Sequence, residues 1–258
     1  MKTYSYKNAI MAMISVSAFL FIWQIVSTSS LINSALIPPP TKVLRTAVTM
    51  VGTGELLQDI FVSLQRALIG FFFGSLLGIL LGIATGRNRI IDRSIGPLVQ
   101  LLRPIPSIAI VPLAIVWFGL GEMSKYFLVF WGVFFPVWIN THIGASNVQK
   151  NFLWVARSLG AKGSRVLYEV IFPAAAPFII AGMRTGIAIA FICLVAAEMA
   201  GAYGGVGYRV YVSHLVFRVD KMMVGIITLG LMGAVADMLF VGIVNWLLPW
   251  YRKNSDYA

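Results

Sequence analysis

Four stretches of the chain carry no Asp, Glu, Lys or Arg for long enough to cross a bilayer: Lys7 to Lys42, Arg66 to Arg87, Arg103 to Glu122, and Lys125 to Lys150. A helix needs about 20 mostly apolar residues to span the hydrocarbon core, because each residue advances it only about 1.5 Å. Two further windows, Glu169 to Glu198 and Lys221 to Arg252, are long enough but hold one charge each, Arg184 and Asp237. The pattern predicts six spans. Composition agrees: 59% of the 258 residues are hydrophobic and 11% charged, against roughly 25% charged in a soluble domain. Such a chain cannot face water without large sticky patches, which excludes a soluble enzyme, a disordered chain and a soluble nucleic-acid binder. The single cysteine, Cys193, lies inside an apolar run and permits no intrachain disulfide; it reads as a small core residue. The first span, roughly residues 9–30, follows Lys2 and Lys7 and precedes a weak small-residue site at Ser34-Ala35, as a signal peptide would. Its apolar part exceeds the usual h-region of about 7–15 residues, which favours a retained helix.

Six spans put both termini on one side, and the distribution of Lys and Arg says which. The side with the termini, the Arg87–Arg93 loop and the 147–170 loop holds eleven basic residues against Asp92, Glu169 and Asp256. The other holds Lys42, Arg45, Lys125, Arg209, Arg218 and Lys221 against Glu55, Asp59, Glu122 and Asp220. The imbalance, +8 against +2, predicts cytoplasmic termini, so the formal net charge of +11 is mainly a topology signal, with attraction to anionic lipid second.

The second span carries Gly70, Gly74, Gly78, Gly82 and Gly86. At 3.6 residues per turn they form one slowly drifting face that lets another helix approach closely, so they read as helix packing. Gly182, Gly186, Gly225, Gly230 and Gly233 repeat the feature more loosely. Arg103-Pro104-Ile105-Pro106 and Pro112 predict a helix start or kink near the cytoplasmic face. Charges inside spans are costly and face bundle interiors or water-filled cavities. Arg66, Arg103, Glu198 and Asp237 are therefore candidates for the translocation path or for intramembrane pairing, with Arg66, Glu198 and Asp237 within pairing range of one another. Arg184 reads as a side chain that snorkels to the headgroups. His142 and His214 have no carboxylate or Cys at metal spacing, so no metal is expected. Trp117, Phe118, Trp246 and Trp250 read as interfacial anchors. After Pro38-Pro39-Pro40, Thr41 is expected to cap a surface helix presenting Val43, Leu44, Ala47, Val48 and Val51.

The loop between the fourth and fifth spans has its own structure. Phe152, Leu153, Val155, Ala156 and Leu159 recur at helical spacing, with Arg157 and Ser158 opposite and Gly160 where a helix would end. A second amphipathic piece, Ser164 to Phe172, is expected to be capped by Ser164 and stopped by Pro173. Such a loop either lies on lipid or fits the groove of a partner protein. Here the chain resembles the permease subunits of binding-protein-dependent ABC importers. Their cytoplasmic signature is Glu-Ala-Ala, three residues, Gly, nine residues, Ile, any residue, Leu-Pro. The run from Trp154 through Gly160 to Pro173 falls in register with it, departing at Trp154, Val155, Val170 and Phe172. Leu102 to Pro106, Trp117 to Glu122, Ala197-Glu198-Met199 and Gly204 to Tyr208 are similar to the nitrate, sulfonate and taurine branch. The resemblance covers about residues 38–250.

The resemblance implies an all-α integral membrane protein of the type I ABC importer permease kind. It would comprise an N-terminal transmembrane helix (1–37) and a permease core (38–258) with five further transmembrane helices. A coupling helix at about 151–161 would engage the ATPase through Phe152, Val155, Ala156, Arg157, Ser158, Leu159, Gly160 and Ala161. Implied partners are a second copy in a homodimer, two ATPase subunits carrying ATP and Mg, and an extracytoplasmic solute-binding protein for a small, mostly anionic solute. No cofactor would be bound by this chain and no catalytic residue is expected. The phosphate-loop pattern Gly-x-x-x-x-Gly-Lys-Ser/Thr is missing from the sequence, so the energy must come from a partner. The competing readings are a stand-alone secondary carrier or channel using Arg66 and Asp237, and a membrane anchor without a path.

Overall fold

The computed structural model describes residues 6–29, 33 and 35–248, and among these the chain is helical with no strand. In order come α1 (Tyr6–Thr28), α2 (Pro40–Gly52), α3 (Glu55–Arg87), α4 (Arg89–Leu102), α5 (Ser107–Phe118), α6 (Glu122–Ser146), α7 (Lys150–Ser158), α8 (Ser164–Val166), α9 (Phe172–Gly201), α10 (Val206–Leu215) and α11 (Val219–Leu247). Helices α1, α3, α6 and α11 are each long and apolar enough to cross a membrane, as is the continuous rod from Ser164 to Gly201. Ser34, Trp250 and the terminal charges Lys2, Arg252, Lys253 and Asp256 lie outside the described residues.

Glycine organises the bundle. A Cβ on Gly74 would lie 2.9 Å from both the Phe130 carbonyl oxygen and Val133 Cβ, and one on Gly86 would lie 2.8 Å from Ala145 Cβ. Gly70, Gly78 and Gly82 are as close to Val129, Val137 and Thr141. These contacts advance together along both helices, so α3 and α6 run parallel. A chain leaving α3 at Arg87 must therefore cross back before it enters α6 at Glu122.

That return is made by α4 and α5, bent by 100°, and it corrects the expectation of one clean span between Arg103 and Glu122. Helix α5 has 12 residues, about 18 Å at 1.5 Å each, too short for about 30 Å of hydrocarbon. The break falls at Arg103–Pro106, where two prolines lack backbone donors and disfavour helix in the residues before them. Pro112 lies inside α5 without ending it. With α4 and α5 as one crossing the count is six.

Helix α9 packs antiparallel on α6, with Gly182 against Asn140 and Gly186 against Val133 and Val137. Helices α3, α6 and α9 enclose the main core, Ala67, Val129, Val133, Val137, Ala190 and Leu194, together with the buried Cys193. Gly225 meets Val210 of α10, whereas Gly230 faces open space.

Two helix starts differ from expectation. Helix α2 begins at Pro40 after Pro39, and Thr41 makes no cap, because a proline already set at the helical φ starts the first turn. Its buried face is Val43 and Met50, packed on Leu56 and Val224, while Leu44, Val48 and Val51 are exposed. Pro173 does not stop the second piece of the loop. A π turn at Leu167–Ile171 carries α8 into α9, and Pro173, the second residue of α9, follows that irregular turn without ending the rod. Trp117, Phe118 and Trp246 are exposed near helix ends.

Replacing Gly78 by Leu should overpack the α3–α6 contact by at least about 1–3 kcal/mol. The expected outcome is a clear fall in the melting temperature of the detergent-purified protein. Gly242→Ala, with nothing within 4 Å of the added carbon, should leave melting unchanged or raise it.

Candidate functional site

The charges inside the spans fall into two arrangements. At the end of the bundle that gathers α2, α10 and the starts of α3, α6 and α11, Arg66 and Glu198 are 3% and 0% exposed. Arg66 donates Nη1 to Glu198 Oε1 at 2.9 Å and to the Gly204 carbonyl at 2.6 Å. Its Nε and Nη2 grip both oxygens of Glu122, each at 2.6 Å. Glu198 also accepts from Ser63 Oγ at 2.7 Å and from the Gly207 N–H at 2.7 Å. Ser63 in turn accepts the Val206 N–H at 2.8 Å, and Asp59 accepts the Gly205 N–H at 2.9 Å. The opening N–H groups of α10 thus point at oxygen acceptors, which suits the positive end of a helix. Gly205 has φ of 114°, and a side chain there would strike the Glu198 carboxylate.

The same end holds most of the charges counted on that side in the sequence. Arg209 pairs with Asp59 at 2.7 Å and with Glu55, Lys221 with Glu55 at 3.1 Å, and Arg218 with Asp220 at 2.9 Å. Asp220 also accepts from Thr46. Lys125, 2% exposed, donates to the carbonyls of Leu120, Gly121 and Gly201. Arg218, just before α11, is held above the usual arginine range by its hydrogen bonds to Asp220. Ser63, Asp59, Glu122 and Arg209 are not among the site residues expected from the sequence, although the stretches Trp117 to Glu122 and Gly204 to Tyr208 both enter this cluster.

Asp237 does not join Arg66 and Glu198. It accepts Arg184 Nε at 2.9 Å and Nη2 at 2.7 Å, and the two side chains are 37% and 51% exposed. Arg184 therefore does not snorkel away. The pair lies near the middle of α9 and about one turn past the middle of α11. Arg103 is exposed at the α4–α5 bend.

At the opposite end, α7 stands on the bundle with two faces. Leu153 and Ala156 are buried, Leu153 against Ala145, Val148 and Ile171. Phe152, Trp154, Val155 and Leu159 are exposed, and Arg157 and Ser158 are exposed beside them. The helix ends on Gly160, with φ of 86°. The Ala161 N–H bonds the Ala156 carbonyl and the Gly160 N–H the Arg157 carbonyl, both at 2.9 Å. This is the six-to-one, five-to-two closure that a left-handed glycine permits. Ala161 is buried and returns the chain to the bundle. A cleft of about 750 Å³ lies between α7 and the π turn, lined by Phe152, Val155, Leu159, Arg165, Glu169 and Pro173.

The family model of the binding-protein-dependent transport system inner membrane component matches residues 74–253. The chain is 35% identical over 234 residues to a Bacillus subtilis protein that carries the name aliphatic sulfonates transport permease protein SsuC, covering 91% of this chain and 84% of that one. It is 32% identical over 244 residues to the taurine transport system permease protein TauC of Escherichia coli, covering 93% and 89%. The fold matches inward-facing MetNI methionine ABC transporter at a TM-score of 0.66 and 19% identity, over 75% of this chain and 96% of that one.

Removing Arg66 leaves Glu198 buried without its counter-charge, a loss of about 3–5 kcal/mol. Arg66→Ala should therefore melt well below the parent in detergent, and adding Glu198→Ala should recover part of the loss. Glu122→Ala, which removes a half-exposed partner, should cost less than Arg66→Ala.

Proposed function

The chain belongs to the binding-protein-dependent transport system inner membrane components and is the membrane permease of an ABC importer, and from that premise we propose how it works. Two copies pair around a translocation path. Each copy grips one ATPase subunit through α7 and the turn after it, and a solute-binding protein delivers solute to the α10 end. The termini and α7 are cytoplasmic, in keeping with the excess of Lys and Arg on that side. The solute is a small oxyanion such as a sulfonate, taurine or nitrate; sulfonates and taurine are the solutes in the names of the similar permeases. Residues 1–37 are assigned as the N-terminal transmembrane helix and 38–258 as the permease core; of the described part of α1, Trp23, Gln24 and Ser27 meet the rest of the chain.

The observation that carries the coupling assignment is the exposed apolar ridge Phe152, Val155 and Leu159 on a helix whose adjoining side is locked to the bundle by Leu153 and Ala156. An apolar ridge on a rigidly seated helix suits a groove in a partner. Arg157 and Ser158 flank it, Gly160 and Ala161 close it, and ATP and Mg belong to the partner. Arg66 and Glu198 hold the far end of the bundle together, the role their burial and full hydrogen bonding support. Asp237 and the bend residue Arg103 are assigned to the path.

ATP-driven uptake by the permease reconstituted with its ATPase and binding protein tests the reading; uptake that persists without the ATPase would overturn it. Gly160→Leu places a branched side chain at a left-handed residue, which costs about 1–2 kcal/mol. We expect this variant to insert normally yet retain several-fold less ATPase on co-purification. Normal retention would count against α7 as the coupling helix.

A further inference from the structure

The Arg184–Asp237 pair is the part of the molecule that lipid cannot comfortably cover. It is a two-bond ion pair near the middle of two spanning helices, half-exposed on the outer face of the single chain. Charge facing hydrocarbon is strongly disfavoured and marks a water-filled cavity or a protein interface. Elsewhere the exposed surface of the spans is bulky and apolar, as at Leu68, Phe72 and Leu80 of α3. Beside the pair it thins: Ala181, Thr185 and Ala188 on α9, and Gly230 and Ala234 on α11, are exposed and small, with the bulkier exposed Ile192 and Met238 at the margin, so small side chains border the half-exposed guanidinium along one side.

We propose that this face of α9 and α11 lines the translocation path and that Arg184 is an oxyanion subsite within it. The inference rests on the importer reading and deepens it. A guanidinium fork binds two oxygens held in one plane, and a sulfonate or nitrate offers the same pair that Asp237 now supplies. Solute and Asp237 therefore compete for one fork. With no solute present, Asp237 neutralises Arg184 and keeps it aimed at the path. When solute arrives, the displaced carboxylate repels it, which keeps binding weak enough for release. Arg66, sealed by Glu198, Glu122 and the Gly204 carbonyl, is closed to such a role.

The test is thiol accessibility in membranes containing the whole transporter, on a Cys193→Ala background. Ala188→Cys, one turn from Arg184, is exposed to methanethiosulfonate reagents bearing either an ethylsulfonate or an ethyltrimethylammonium group. Relative to their rates with a free thiol, the anionic reagent should react about tenfold faster than the cationic one. Arg184→Gln should abolish that preference, Arg184→Lys should keep most of it, and Asp237→Asn should increase it. Phe72→Cys, on the lipid side, should not react. Absence of labelling at Ala188→Cys and at a second position, Thr185→Cys, would overturn the proposal, as would a preference that survives Arg184→Gln. Uptake of nitrate, taurine and methanesulfonate is measured in parallel. ATP-independent uptake with the charge preference intact would overturn the importer reading while supporting the subsite.

Discussion

The structure depends on two helix backbones being allowed to touch. Along α3 a glycine every fourth residue removes each side chain that would separate it from α6, and α6 answers with Val129, Val133, Val137, Thr141 and Ala145. Close approach is how helices associate in a bilayer, where apolar side chains gain little by leaving lipid for one another. Because this contact is parallel, the chain between Arg87 and Glu122 has to return across the membrane. It does so as the bent α4–α5 pair, and α9 then fills the remaining side of the core through Gly182 and Gly186.

The second constraint is the cost of charge in a low-dielectric medium, and the molecule meets it in two ways. At the α10 end the charges are tied together by carboxylates, backbone N–H groups and carbonyls, with Glu198 sealed at the centre and Arg66 spanning two acids. That knot ties α3 and α6 to α9 and α10, across as many as 138 positions of sequence, and so fixes how these helix ends sit together. At mid-depth the Arg184–Asp237 pair is satisfied internally but left open to one side. A buried knot holds a scaffold in place, whereas an accessible pair can exchange partners.

At the other end the segment between α6 and α9 is seated on the bundle. Helix α7 is anchored by Leu153 and Ala156, and the left-handed Gly160 turns the chain back so that Ala161 is buried again. The π turn at Leu167–Ile171 then runs without interruption into α9. The helix that carries Arg184 and Glu198 thus continues directly from the turn against which α7 packs.

Much of this was legible in residue order. Charge-free windows predicted most of the crossings, the glycine spacing of α3 predicted a close-packing face, and the periodicity of residues 152–159 predicted a helix in the loop between α6 and α9. These are local properties, set by helical period and by what a bilayer tolerates, so a single chain of letters carries them. Which charges meet was not legible. Arg66 and Glu198 are 132 positions apart and Arg184 and Asp237 are 53 apart, and their pairing depends on the rotation and depth of helices that periodicity alone does not relate. The same holds for the third crossing: two prolines announced a break at Arg103–Pro106, but only the parallel contact of α3 with α6 decided that both pieces together make one passage.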